Sequence, residues 1–218
     1  MASQQEQKIE AARAALESVR AGMKLGLGSG STAEEFVKLL AASKSAKEVR
    51  CTCTSKKTET LAQSLGIATF ALAEVSPLDL AIDGADEIDP QLRLIKGHGG
   101  ALLREKIVEQ QAKRFIVIAD ESKLVERLGR KPLPVEITPF ALDVLMQRFS
   151  DLSPKLREGF VTDEGNVIVD VCVPEREDIA HTVQRIRDHA GVVDTGFFPD
   201  EATEAIIATP NGIRRMTR

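Results

Sequence analysis

No stretch of this sequence is apolar for long enough to cross a bilayer. Its polar, helix-patterned opening, MASQQEQKIEAARAALESV, has no signal-peptide core. Cysteine is scarce, with Cys51, Cys53 and Cys172 making three, an odd number without framework spacing. A disulfide-stapled secreted fold is therefore not expected, and a reducing cytoplasm is. Cys51 and Cys53, two apart in a β-branched run, read as small hydrophobes on one strand face. A basic excess is missing too: 29 Lys and Arg stand against 33 Asp and Glu, for a net charge of −4. With no basic tract either, nucleic acid is not an expected partner, nor is a membrane. An anionic ligand would have to be held by local features. There is no histidine cluster to bind a transition metal, no internal repeat and no low-complexity segment.

What is present is the material of a globular enzyme-sized chain: 218 residues, 43% hydrophobic and 28% charged. The first part alternates strand and helix. A helix near residues 5–19 leads to a strand near 23–27, a Gly/Ser turn and a helix over 32–40. A strand over 49–54, a helix around 58–65, a short strand at 68–71 and a strand over 78–82 follow. A helix over 101–112 precedes Phe115-Ile116-Val117-Ile118-Ala119, a continuous apolar strand of the kind buried on both faces of a parallel sheet. This rhythm predicts a doubly wound, mostly parallel α/β sheet. Beyond residue 130 the order becomes strand 133–137, helix 139–148, strand 159–162, strand 167–173, helix 175–189 and strand 192–198. That is the β-α-β-β-α-β order of a smaller, ferredoxin-like α+β unit. The division expected is residues 1–130 plus 205–218 for the larger, Rossmann-like domain and 131–204 for the smaller.

Four places carry chemistry. Gly26-Leu27-Gly28-Ser29-Gly30-Ser31-Thr32-Ala33 joins a strand to a helix, where glycines let an anion approach backbone amides and the helix start adds free N–H groups. Gly28-x-Gly30-x-x-Ala33 nominally fits a dinucleotide fingerprint, but the second strand ends in Thr54-Ser55-Lys56, where a ribose-binding acid should stand. Nor does Gly-Lys-Ser/Thr follow, so it is not a P-loop. The hydroxyl-rich loop suits a single phosphate; a tight turn with a helix cap is the plainer alternative. Asp83-Gly84-Ala85-Asp86-Glu87-Ile88-Asp89 follows an apolar strand, at the sheet edge where working carboxylates belong, although a solvated acidic turn has the same composition. Its spacing is wrong for an EF-hand. Lys96-Gly97-His98-Gly99-Gly100 opens a helix in which Ala101, Glu105, Val108 and Ala112 share a row. A carboxylate desolvated in that row gains basicity near neutral pH, whereas a glutamate at an exposed helix edge does not. Finally, Ala119-Asp120-Glu121-Ser122-Lys123 ends the apolar strand and aims a cation at the same edge as the glycine loop, or leaves Lys123 as ordinary surface.

These stretches, in this order, resemble the A-type ribose-5-phosphate isomerases. The likeness lies in residues 26–33, Thr-Ser-Lys-Lys-Thr (54–58), Asp-Gly-Ala-Asp-Glu-Ile (83–88), Lys-Gly-His-Gly-Gly-Ala-Leu-Leu-Arg-Glu-Lys (96–106) and Ala-Asp-Glu-Ser-Lys (119–123). Pro-Leu-Pro-Val-Glu (132–136), Thr-Asp-x-Gly-Asn (162–166) and Thr-Pro-Asn-Gly (209–212) extend it over nearly the whole chain. His98 is the departure, since the family usually has glycine there; its ring either crowds the loop or points outward.

The resemblance implies interconversion of ribose 5-phosphate and ribulose 5-phosphate, without metal or organic cofactor, by a homodimer. It implies that Glu105 is the general base, and that Asp83, Asp86 and Lys96 surround the reacting carbonyl and hydroxyls. It further implies a phosphate- and substrate-binding set of Gly28, Gly30, Ser31, Thr32, Ser55, Thr58, Gly97, Gly99 and Lys123. Lys8, in the first helix, corresponds to a family phosphate contact. Rival readings are an isomerase of another sugar phosphate, a phosphosugar-sensing module that binds without turnover, and a nucleotide-binding protein.

Overall fold

The computed structural model describes residues 3–218. Ser3 caps the first helix, α1 (Gln4–Leu16), and exchanges hydrogen bonds with Glu6 in a reciprocal capping box. There follow β1 (Lys24–Leu27), α2 (Ser31–Ala42), β2 (Arg50–Cys53), α3 (Lys56–Ser64), the single turn α4 (Leu72–Val75) and β3 (Leu80–Asp83). Two short strands, β4 (Glu87–Ile88) and β5 (Leu94–Ile95), lead to α5 (Leu102–Gln110) and β6 (Phe115–Asp120). The next part holds β7 (Leu133–Ile137), α6 (Leu142–Arg148), β8 (Lys155–Leu156), β9 (Val167–Val171), α7 (Ile179–Arg187) and β10 (Val192–Thr195). The chain ends in β11 (Phe197–Phe198), β12 (Glu204–Thr209) and β13 (Gly212–Thr217). No described helix is long and apolar enough to cross a membrane.

The main sheet has the order β13-β12-β6-β3-β1-β2 and is parallel throughout except for the terminal β12–β13 hairpin. β6, at its centre, is buried at all six positions. Its side chains alternate between faces, as the two-residue period of a strand requires. Ile116 and Ile118 pack with Ala11, Phe36 and Leu40 from α1 and α2, whereas Phe115, Val117 and Ala119 pack with Leu94, Phe198 and Ala205 on the other face. Each such side chain, fully buried, contributes about 1.5–3 kcal/mol relative to exposure. The α/β class expected from the strand–helix rhythm is thus the one observed.

A second sheet, ordered β10-β7-β9-β8, is antiparallel at every pairing, which is the ferredoxin-like arrangement. α6 and α7 bury Leu145, Phe149, Ile179, Val183 and Ile186 with its apolar residues. A third sheet, β11-β5-β4, joins two strands from the first part of the chain to one from the second.

Three local expectations fail, each for a visible reason. The strand expected over 159–162 is absent: Thr162 N–H donates to Asn166 and Gly165 N–H to Thr162, so the segment is turned, and the edge strand lies earlier, at Lys155–Leu156. The strand expected at 68–71 is reduced to one bridge, Thr69 to Cys51, because the chain coils into α4 directly afterwards. The continuous strand expected over 192–198 breaks at Gly196, where a Cβ would sit 2.2 Å from the Lys96 carbonyl oxygen. Gly196 accepts from the Lys96 amide at 2.9 Å and hands the strand from the second sheet to the third.

α5 lies between the main and second sheets. Its Val108 packs over β1, where a side chain at Gly26 would meet Val108 at 2.7 Å. On its other side the Lys106 ammonium donates to Asp194 Oδ1 (2.9 Å) and the Thr195 carbonyl (2.7 Å) of β10. A helix packed on two sides buries polar positions that a surface helix would expose; Glu105, Lys106 and Glu109 are all buried.

Candidate active site

The Gly28–Thr32 loop sits at the carboxyl end of β1, beside the end of β3. Gly28 N–H donates to the Ile82 carbonyl at 2.9 Å, and a Cβ there would lie 2.1 Å from the Asp83 carboxyl carbon. Only glycine admits so close an approach. The Ser29 hydroxyl is bonded to Thr54 (2.7 Å), Ser55 (2.8 Å) and Thr58 (3.2 Å), and the Thr58 hydroxyl donates to the Gly28 carbonyl at 3.0 Å. Ser55 also caps α3 through the Thr58 amide. Ser55 and Thr58 are therefore buried beneath the loop and fix its shape. Gly30, at φ 89°, turns the chain into α2, whose first amides have no helical acceptor and whose dipole is positive at this end.

Next to this loop, Asp83 ends β3 with its Oδ1 accepting from the amides of Ser29 (2.8 Å) and Gly84 (2.6 Å). Lys96, placed by β5 and its bond to Gly196, is 2% exposed and donates from Nζ to the Gly84 carbonyl at 2.6 Å. The same ammonium stands 2.9 Å from Asp83 Oδ2, 3.2 Å from Glu109 Oε1 and 3.8 Å from Glu105 Oε1. The rings of Phe115 and Phe198 close the remaining sides, with centroids 5.8 and 5.5 Å away.

These neighbours set the protonation of the cluster. Burial pulls the Lys96 ammonium down, but the carboxylates of Asp83, Glu105 and Glu109 outweigh it, so the amine is held charged well above its ordinary range. Burial pushes the Glu105 carboxyl up to about 8, opposed by Lys96 and assisted by Asp83 and Asp86. Glu105 is thus a carboxylate of high basicity within reach of a fixed cation. Such a pair can take a proton from carbon and hold the negative charge left on oxygen.

A small cleft, with a volume of ≈ 100 Å³, opens above the cluster. Of the residues expected at the site, Gly30, Ser31, Thr32, Asp86, Lys96, Gly97, Gly99, Glu105 and Lys123 line it together, with Ser29, Gly84 and Ala85 between them. Asp83 and Gly28 lie just below its floor, and Ser55 and Thr58 below the loop. Lys8, half-buried on α1, does not line the cleft. Among the described residues no group of histidine, cysteine, aspartate and glutamate has metal-binding geometry.

His98 neither crowds the loop nor enters the cleft. Its amide donates to Asp86 Oδ2 (3.0 Å), its Nε2 shares a hydrogen bond with the Pro132 carbonyl (3.0 Å), and Nδ1 lies 3.5 Å from Asp86 Oδ1. The ring therefore points outward and ties the loop to the second part of the chain. Sequence reasoning missed two further residues. Arg157 is paired bidentately with Asp170 (2.6 Å each) and donates to the carbonyls of Gly97 (2.9 Å) and His98 (3.0 Å). Nothing local in the sequence marks it. Glu109 follows Glu105 by one helical turn, a spacing that was legible, but its burial was not.

Comparison with known proteins agrees with this geometry. The family model for ribose 5-phosphate isomerase A (phosphoriboisomerase A) matches residues 50–212. The ribose-5-phosphate isomerase A of Deinococcus radiodurans is 46% identical over 222 residues, covering 97% of each protein. That of Bordetella bronchiseptica is 47% identical over 225 residues, covering 100% of this chain and 99% of the relative. The crystal structure of ribose 5-phosphate isomerase A from Neisseria gonorrhoeae matches with a TM-score of 0.94 at 38% identity, over 100% of this chain and 98% of that one.

Proposed function

This chain belongs to the ribose 5-phosphate isomerase A family, and on that premise we propose how its residues interconvert ribose 5-phosphate and ribulose 5-phosphate. The observation that carries the reading is the burial of Glu105 beside the Lys96 ammonium, 3.8 Å away, at the floor of the cleft. The Ser29–Thr32 loop and the start of α2 take the phosphate, aided by Lys123. Binding energy from this remote group holds the open-chain sugar in place for the chemistry. Glu105 removes the proton from C2 of the aldose, Lys96 stabilises the enediolate oxygen, and Glu105 returns the proton to C1. One carboxyl carries the carbon-bound proton both ways, because the acid formed in the first step is the donor in the second, while the O2 proton shifts to O1 of the enediolate to leave the C2 carbonyl and the C1 hydroxyl. Asp83 and Asp86 assist ring opening, Asp83 also fixing Lys96. Gly97 and Gly99 leave the sugar room against the backbone. The cleft belongs to the 1–130 plus 205–218 unit, with 131–204 as the smaller domain buttressing it through Arg157 and Pro132.

The test is formation of ribulose 5-phosphate from ribose 5-phosphate by the EDTA-treated protein, followed across pH. Turnover is expected to survive chelation, and kcat/KM to rise with pH toward and through about 8 before levelling. The sign follows from the base, which acts only when ionised and whose carboxyl is pushed up by burial. Binding without turnover would replace this reading with a phosphosugar sensor, and a higher kcat/KM for another sugar phosphate with a different isomerase.

On the support of the family resemblance we also propose a cytoplasmic homodimer. Light scattering should give twice the 23.7 kDa chain mass across working concentrations; a monomer throughout overturns it.

A further inference from the structure

Glu109 is a buried carboxyl for which the isomerisation as described has no use. It is 2% exposed, and neither of its oxygens has a hydrogen-bond partner. The Oδ2 of Asp83 is in the same state. Lys96 Nζ approaches both, at 3.2 and 2.9 Å, but neither contact is aligned as a hydrogen bond. Asp83 Oδ2 and Glu109 Oε1 are thus gathered on one ammonium, each within 3.2 Å of Lys96 Nζ. Two carboxylates cannot bond to each other; a carboxylic acid and a carboxylate can.

The charges of the cluster say which group carries the proton. Glu109 is met by Asp83 from β3, by Lys96 from the segment after β5 and by Glu105 from its own helix. β6 and β11 contribute only the rings of Phe115 and Phe198 around Lys96, and the charges of Asp86 and Lys106 act on Glu105. One cation therefore stands against three carboxyls, of which Glu105 reaches the cleft while Asp83 and Glu109 are buried. A net charge of two negatives would be left uncompensated there if all three ionised, which burial strongly disfavours. Asp83 Oδ1 already accepts from two amides. Glu105, the base, has to ionise for the reaction to begin. Glu109 is left, and a proton on it satisfies both its own oxygen and the orphaned Asp83 Oδ2.

We propose that Glu109 is a positioning residue that holds a proton at neutral pH and donates it to Asp83, so that Lys96 is opposed by two carboxylates and Glu105 can ionise in the working range. Burial first, then the negative charges of Asp83 and Glu105, push its carboxyl well up, which agrees with that assignment. The kinetic part of the inference rests on the reading of Glu105 as the base; the proton itself does not.

Infrared spectra of Glu105→Gln and of the Glu105→Gln/Glu109→Gln double variant at neutral pH read the proton directly. A carboxylic-acid C=O band present in the first and missing in the second is expected; no difference between them overturns the proposal. Kinetics give the second arm. Glu109→Leu, which removes both donor and acceptor, is expected to lower kcat about tenfold with little change in KM, in line with a stranded buried polar partner. Glu109→Gln, an isostere of the protonated acid, is expected to recover most of that loss and to leave the acid limb of the pH profile within about 0.3 unit of the parent. A charged Glu109 in the parent would instead make Glu105 less basic when removed, displacing that limb downward by about one unit or more. That displacement, or a Gln variant as slow as Leu, overturns the proposal. Should Glu105 not be the base, its own Gln variant stays active, an outcome distinct from any of these.

Discussion

Glu105→Gln is expected to yield a folded protein that still binds ribose 5-phosphate and turns it over about 10⁴-fold more slowly, the upper end of what a positioned acid–base group supplies. The upper end applies because one carboxyl serves twice, removing the proton from C2 and returning it to C1. Glutamine matches glutamate in shape and fills the same 6%-exposed position, so the cleft and its phosphate loop stay intact. The loss should fall on kcat with KM little changed, the pattern of a group used only in the transition state. Stability gives a second, independent reading. The Glu105 carboxyl is raised from 4.5 to about 8 by burial, so the folded state keeps its proton after the unfolded chain has lost it. The parent accordingly loses stability as pH rises through that window, and the glutamine variant is spared that loss. Urea midpoints at both ends of the window measure it: the variant should gain on the parent as pH rises. A variant retaining a tenth or more of parental turnover would remove Glu105 from the mechanism.

Lys96→Met has the second-largest expected effect, a fall in kcat of about 10²–10³-fold, the usual consequence of losing one preorganised electrostatic group. Methionine keeps the apolar stem that lies between the rings of Phe115 and Phe198 but removes the charge. Three consequences belong together. The enediolate oxygen loses its cation. The Glu105 carboxyl loses the attraction that lowers it, so the acid limb of the pH profile moves upward. Asp83 and the two glutamates become a buried anionic cluster without a counter-ion, at a cost of about 3–5 kcal/mol in stability. That cost falls as the carboxyls take up protons, so the variant should be nearer the parent in stability at pH 5 than at pH 9. Denaturant melts and pH–rate profiles of the same preparation test all three. An unmoved acid limb would show that Lys96 and Glu105 do not act on one another.

Glu109 qualifies both results, because it is the third carboxyl around the same ammonium. If it holds its proton, the parent cluster carries one net negative charge when the base is ionised. The stability lost in Lys96→Met then depends on how many of the three carboxyls protonate in response.

Much of this was legible in the chain itself. A strand such as Phe115–Ala119, apolar at consecutive positions, can be satisfied only by a sheet covered on both faces, and the change of rhythm after residue 130 marked a second sheet. Gly28-Ser29-Gly30-Ser31-Thr32 and Asp83-Gly84-Ala85-Asp86 each follow a strand of the main sheet, so their arrival at one sheet edge follows from parallel topology. Short-range rules reach that far because they concern neighbours in sequence. They failed where a distant segment decided the outcome. The strand over 192–198 breaks because Gly196 must meet the Lys96 backbone, and residues 159–162 turn instead of pairing. The row of Ala101, Glu105, Val108 and Ala112 left a buried base and an exposed helix edge equally open. Only the packing of α5 between two sheets closed Glu105, Lys106 and Glu109 from water and set Lys96 among three carboxyls. Which groups share a dielectric, and hence which of them keep their protons, depends on contacts between residues far apart in the chain, and those exist only once the sheets and α5 have come together.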